Sequence, residues 1–377
     1  MPGTHERALD ALLKRGRLRS LEPRRGFDFA SNDYLGLAQS DALRDAVTAA
    51  VARGVPVGSG GSRLLRGNHP EHEALEAEAA KFFRAETALF FGGGFAANTA
   101  IFSTLPPRGD VIVYDELIHA SAHDGMRLSK AESAAARHND PQSFEDAIKA
   151  WRNAGGTGQP WIAVESLYSM DGDRAPLDDL IEIADAHDGV LVIDEAHATG
   201  VLGPDGRGLG AHLEGRSNVV SLHTCGKALG VMGALVLSTR TTRDFLVNRA
   251  RAFIYATAPS PLVAATVRAA LEIVQREPGR RTQLHQRIAF AGRELAAKTQ
   301  HTQSGSHIQP IIVGSDSRAV ALADAMKARG FDIRAIRPPT VPEGTARLRL
   351  TLTLNTSEAD LATLISGIAD AEAGLAA

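Results

Sequence analysis

Cysteine is almost absent from this chain: Cys225 is the one thiol in 377 residues. No intramolecular disulfide can form, and no zinc or iron–sulfur site can be built from cysteines. A reducing, cytoplasmic setting is the expectation. An excess of either charge is missing too, since 41 basic residues against 44 acidic ones leave a formal net charge of -3. That balance supplies no electrostatic case for nucleic acid or an anionic membrane as partner. A secretory signal is not expected: the first 25 residues hold Arg7, Lys14, Arg15, Arg17, Arg19, Arg24 and Arg25 without an apolar stretch. Glu6, Asp10 and Glu22 argue against a transit peptide. The uncharged stretch 88–107 carries Gly92, Gly93, Gly94, Asn98, Ser103 and Thr104, so it reads as buried core with a glycine turn and not as a membrane span.

With 44% hydrophobic and 23% charged residues, the composition is that of an ordinary globular protein, and the length suggests about two domains. Aromatics are few at 5%, whereas 36 glycines and many alanines suit close packing of helices on a sheet. Short apolar runs alternate with helical patterns: Val111–Tyr114, Trp161–Val164, Val190–Ile193, Val219–Leu222 and Gly233–Leu237. Continuous β-branched runs of this kind are what strands covered on both faces look like. Leu177, Leu180, Ile181 and Ala184 recur at helical spacing behind the acidic Asp178 and Asp179. The expectation is α/β, a large mostly parallel sheet domain followed by a smaller α+β domain. In the latter, strands are expected at 308–313, 331–336 and 347–353, with a helix at 318–329.

Ligands of open parallel sheets bind outside the carboxyl ends of the strands, so the polar residues following each run matter most. Those are Asp115, Glu116 and His119; Glu165, Ser166 and Ser169; Asp194, Glu195 and His197; and His223, Thr224, Gly226 and Lys227. Asp194 and His197 alone could be a metal pair, a hydrolase fragment or a capped loop. Lys227 follows a buried strand between glycines, a setting that suits a depressed pKa and Schiff-base chemistry. Phe91-Gly92-Gly93-Gly94-Phe95 leads into a helical pattern and could cradle a phosphate, or serve only as a turn. It lacks the Lys-Ser/Thr of a P-loop and the glycine spacing of a dinucleotide fingerprint. An acid, a lysine, a stacking imidazole and a phosphate cradle along one sheet edge together suit pyridoxal 5'-phosphate.

At this point the sequence resembles the α-oxoamine synthases among the fold-type I pyridoxal-phosphate enzymes. The resemblance rests on ordered motifs along nearly the whole chain: Ser31–Gly36, Gly58–Arg63, Gly94–Asn98, Ser169–Asp173, Asp194–Gly200 and Thr224–Gly230. Ile308–Gly314 and Ile336–Pro342 are similar to the branch that condenses L-alanine with a pimeloyl thioester in biotin biosynthesis. The resemblance implies an acyltransferase in which Lys227 carries the cofactor and acts as base at the amino acid Cα. Asp194 would pair with the ring nitrogen, His197 with the ring oxygen, and His119 would stack on the ring. Gly94 and Phe95 would offer backbone N–H groups, Thr224 a hydroxyl to the phosphate, and Ser169 a contact to the ring region. Thr257 would reach the phosphate of a neighbouring subunit, which implies a homodimer with shared active sites.

For substrate, the resemblance assigns the amino-acid carboxylate to Arg349 with Asn32 assisting, and the acyl group to Arg19 and Thr340. Pimeloyl-CoA and pimeloyl-ACP are both open as donor. So is a sister activity that joins glycine to a short acyl-CoA with the same residues. No metal is expected. The implied division is an N-terminal segment, 1–40, joining the small domain, a large cofactor-binding domain, 41–275, and a small C-terminal domain, 276–377. Cys225, two residues before Lys227, is expected to be a packing residue and not a nucleophile.

Overall fold

A computed structural model describes residues 2–376. The chain separates into two compact units. One holds Leu35–Ser169 and Asp173–Thr282; the other gathers the chain up to Tyr34, Met170–Gly172 and the chain from Gln283 onward. The strands in chain order are β1 (Phe27–Asp28), β2 (Thr87–Phe91), β3 (Val111–Asp115), β4 (Glu132–Ala136), β5 (Pro160–Glu165) and β6 (Val190–Asp194). They continue with β7 (Val219–Thr224), β8 (Ala234–Ser238), β9 (Ile308–Gly314), β10 (Phe331–Asp332), β11 (Arg334–Ile336) and β12 (Ala346–Thr351).

In the larger unit seven strands form one sheet in the order β2-β8-β7-β6-β5-β3-β4. β8 is antiparallel to both its neighbours, and the other pairings are parallel, so the run near 234–238 is the one exception to a common direction. Both faces of the central strands are covered, which is why those strands are predominantly apolar. Ile112, Ala163, Val192 and Leu222 pack on one face with Ala97, Ile101 and Phe102. Val111, Val113, Ile162, Val164, Leu191 and Ile193 pack on the other with Phe144, Ile148, Leu180 and Ala184. Burying such side chains is worth about 1.5–3 kcal/mol each. β4 lies at the sheet edge, and its sequence Glu-Ser-Ala-Ala-Ala gives no apolar run.

The helices start where local chemistry satisfies their first N–H groups. Asp140 caps Pro141–Asn153 and Ser260 caps Pro261–Arg276, each followed by proline at the first helical position. His69 caps Pro70–Phe83, its ring and that of His72 forming a reciprocal box with backbone N–H groups.

In the smaller unit an antiparallel sheet runs β11-β12-β9, and β1 pairs in parallel with β10, Phe27 opposite Phe331. The stretch 331–336 is therefore two short strands in separate sheets and not one. Buried Ile333 lies between them, at the point where the chain changes sheets. The helix near 318–329 runs from Asp316 to Ala328, because the Ser315 side chain accepts from the Arg318 N–H and fixes its start.

Candidate active site

Because β2, β3, β5, β6 and β7 point the same way, their carboxyl ends deliver five loops to one side of the large sheet. From β6 comes Asp194, 7% exposed, which accepts hydrogen bonds from the Ala196 N–H at 2.9 Å and from Asn98 Nδ2 at 2.8 Å. Two donors fix where this buried carboxylate points. His197 is buried on the same loop.

β3 delivers His119, the N-cap of helix Ala120–Arg127. Its Nδ1 accepts from the Ser121 N–H at 3.2 Å and lies 2.8 Å from Ser121 Oγ. The residue as a whole keeps part of its surface open to solvent, which leaves room for a ligand beside it. Loss of hydration among its neighbours holds its pKa below the usual histidine value; the Asp194 carboxylate opposes that shift and the positive charge of Lys227 reinforces it. The neutral imidazole is therefore the form present at neutral pH. Lys227 itself is half-buried in the loop after β7.

Glu165, at the end of β5, is a residue to which sequence reasoning gave no role. It is 2% exposed and pushed up to about 8 by burial, with Asp194 adding to the shift and Lys227 opposing it. It accepts from the Ser169 N–H at 3.1 Å and from the His119 N–H, so one carboxyl joins the loops that bear His119 and Ser169. Asn98 and Ser121 were likewise missed. Asn98 stands four residues past Gly94, the spacing that sets it one helical turn below the glycine cradle, and that was the signal available.

A phosphorylated pyridine aldehyde fits these donors. Gly93 starts helix Gly94–Thr104 without a side-chain cap, leaving its first-turn N–H groups for an anion. A Cβ on Gly94 would come 2.7 Å from Thr224 Cγ2, so the cradle is filled by any larger residue. Thr224 Oγ1 also lies 3.4 Å from the Ala196 carbonyl, which joins the ends of β6 and β7. Phe95 is 54% exposed at the helix start. Thr257 is exposed on a loop pinned by Ala258 N–H to Gly61 O at 2.9 Å and by His72 Nε2 to Pro259 O at 2.7 Å.

The remaining residues lie in the smaller unit. Arg349 on β12 is 6% exposed and donates to Asn32 Oδ1 at 3.0 Å and Thr351 Oγ1 at 2.8 Å, so Arg349 and Asn32 do meet. Arg347, two residues earlier on the same strand face, is paired with Asp171. Arg19 Nη2 lies 3.3 Å from Thr340 Oγ1, and both line a cavity of about 300 Å³ with Arg17, Ile336 and Pro338. Among the described residues no cluster of three or more His, Cys, Asp or Glu could hold a metal ion.

Residues 24–368 match the family model described as aminotransferase class I and II. An 8-amino-7-oxononanoate synthase from Chromobacterium violaceum is 42% identical over 333 residues, covering 88% of this chain and 85% of the relative. The solved 8-amino-7-oxononanoate synthase from Francisella tularensis superposes with a TM-score of 0.79 at 29% identity, over 93% of this chain and 99% of that one. A serine palmitoyltransferase from S. paucimobilis, with bound PLP-myriocin aldimine, gives 0.88 at 23% identity over 99% and 98%, a likeness of fold.

Proposed function

Since the chain belongs to the class I and II aminotransferase family, in its α-oxoamine synthase branch, we propose that it condenses L-alanine with a pimeloyl thioester. The products are 8-amino-7-oxononanoate, CO2 and the free thiol carrier, a step of biotin biosynthesis. The observation that carries this reading is the convergence of Asp194, Lys227, His119 and the Gly94–Thr224 cradle on the carboxyl ends of one sheet.

Pyridoxal 5'-phosphate, when bound, supplies an aldehyde that condenses with amines and a protonated ring that takes up the electron pair left at the amino acid Cα. Gly94, Phe95 and Thr224 would hold its phosphate, and Thr257 would serve the phosphate of a neighbouring subunit. Asp194, held by Asn98 and the Ala196 N–H, would pair with the ring nitrogen and keep it protonated. His197 would donate to the ring oxygen and Ser169 would contact the ring. Neutral His119 would lie against the ring without adding a positive charge. Lys227 Nζ removes the Cα proton, and its charge acts on the neighbouring Glu165 and His119. A new C–C bond then forms to the acyl carbon, the C–S bond breaks with its electron pair leaving on sulfur, the alanine carboxylate leaves as CO2, and the proton taken up by Lys227 returns to Cα. In the smaller unit the Arg349 guanidinium, beside Asn32, suits a carboxylate, and the cavity with Arg19 and Thr340 suits an acyl substrate.

A homodimer in the cytoplasm completes the reading. Leu65 at 81%, Met232 at 69% and Tyr255 at 72% exposure, all in the larger unit, are side chains that a subunit interface would cover. Among the described residues no helix is long and apolar enough to cross a membrane. The deciding experiment offers the purified holoprotein alanine or glycine, each with pimeloyl, acetyl or succinyl thioester, and reads product mass. Alanine with pimeloyl is expected to win; preference for glycine with a short acyl group would overturn the assignment.

A further inference from the structure

Asp194 and His119 are joined through two residues, Asn98 and Ser121, that themselves touch neither substrate nor cofactor in the proposed reaction. Asn98, 2% exposed, donates from Nδ2 to Asp194 Oδ2 at 2.8 Å and to Ser121 Oγ at 2.9 Å. Ser121, 1% exposed, sits with its Oγ 2.8 Å from His119 Nδ1, and its backbone N–H reaches the same nitrogen at 3.2 Å.

The direction of every hydrogen in this chain follows from the chemistry of its ends. A carboxylate only accepts, so the Asn98 amide must turn its NH2 towards Asp194; the reversed amide would set a carbonyl oxygen against it. The second N–H of the same group then goes to Ser121 Oγ. Having accepted there, the Ser121 hydroxyl has its own proton free to donate, and the near acceptor is His119 Nδ1. The backbone N–H of Ser121 donates to the same nitrogen over a longer 3.2 Å, a weaker constraint in the same direction.

We propose that Asn98 and Ser121 are positioning residues that tie the orientation of Asp194 to the tautomer of His119, holding Nδ1 as acceptor and the proton on Nε2. Asp194 Oδ1 is oriented by the Ala196 N–H and Oδ2 by Asn98, so one amide registers the carboxylate against the ring that stacks on the cofactor. Nε2–H is left as a donor at the outer edge of the imidazole, available to a substrate or product oxygen. The inference rests on the proposed pyridoxal-phosphate reading.

The test uses the holoenzyme labelled with 15N-histidine, the His119 signals being identified by their loss in His119→Gln. In the wild type Nδ1 should be unprotonated and Nε2 protonated. Ser121→Ala should give a mixture of tautomers and lower kcat about tenfold, as loss of outer-shell partners commonly does, with the KM for alanine held within about twofold. Ser121→Thr, which restores the hydroxyl, should recover both readouts. A protonated Nδ1 in the wild type, or Ser121→Ala with unchanged tautomer and kcat, would overturn the proposal. A wild-type protein without condensing activity would instead refute the proposed function, while the nitrogen shifts would still decide the hydrogen-bonded chain.

Discussion

His138 Nε2 lies 2.7 Å from Asp173 Oδ2, and the opposite ring nitrogen lies 2.9 Å from Asp115 Oδ1, so one imidazole bridges the carboxyl end of β3 to the turn after Ser169. Asn139 strengthens the bridge, its N–H donating to Asp115 Oδ2 at 2.9 Å and its Nδ2 to Asp173 Oδ2 at 2.7 Å. Burial alone would lower the His138 pKa, but hydrogen bonds to the two aspartates raise it to about 10. A group whose pKa rises on folding contributes stability fully present below its unfolded value, near 6.5, and lost as pH climbs through the folded value. Melting temperature is therefore expected to fall between pH 7 and 10. Asp173→Ala should remove about 2 kcal/mol at pH 7 and flatten that decline; an unchanged slope in calorimetry would contradict the bridge.

Lys227→Ala should eliminate turnover together with the visible absorbance of the bound cofactor, since no other lysine follows a strand of the large sheet at this edge. A variant that keeps both colour and activity would sink the assignment of Lys227.

Gly94→Ala tests the phosphate cradle. The added methyl would meet Thr224 Cγ2 at 2.7 Å, an overpacking worth about 1–3 kcal/mol. Cofactor affinity, measured by dialysis and fluorescence, should fall at least about tenfold with the fold intact by circular dichroism.

Arg349→Ala should raise the KM for alanine roughly thirtyfold, the equivalent of about 2 kcal/mol for a charge-assisted hydrogen bond. Arg347→Ala should act on stability instead, because Arg347 is already paired with Asp171. Equal effects of the two variants on KM would remove the distinction.

Cys225→Ser should retain activity. The thiol is fully buried and burial pushes its pKa up, so little thiolate exists at neutral pH. Complete loss of turnover with fold and bound cofactor intact would make the residue more than packing.

Much of the large sheet was legible because its strands are covered on both faces. Val111 and Val113 enter one core and Ile112 the other, so the local sequence is apolar at every position whatever its neighbours. Edge strand β4, half exposed and alanine-rich, carried no such mark. Glu165 was visible as the polar end of an apolar run, yet its hold on both His119 and Ser169 depends on loops that come together in space.

By itself the sequence determined the inventory of chemistry and the local periods: which runs become strands, and which acids, imidazoles and amine follow them at one sheet edge. These depend on side-chain identity and neighbours within a few residues. Tertiary structure alone decided the pairings. Asn98 meets Asp194 across 96 positions, and of two arginines two residues apart it gave Arg347 to Asp171 and set Arg349 beside Asn32. The physical reason is that a guanidinium or an amide is satisfied by whichever acceptor the fold brings within about 3 Å, and the packing of loops and helices around the strands, not sequence distance, sets that acceptor.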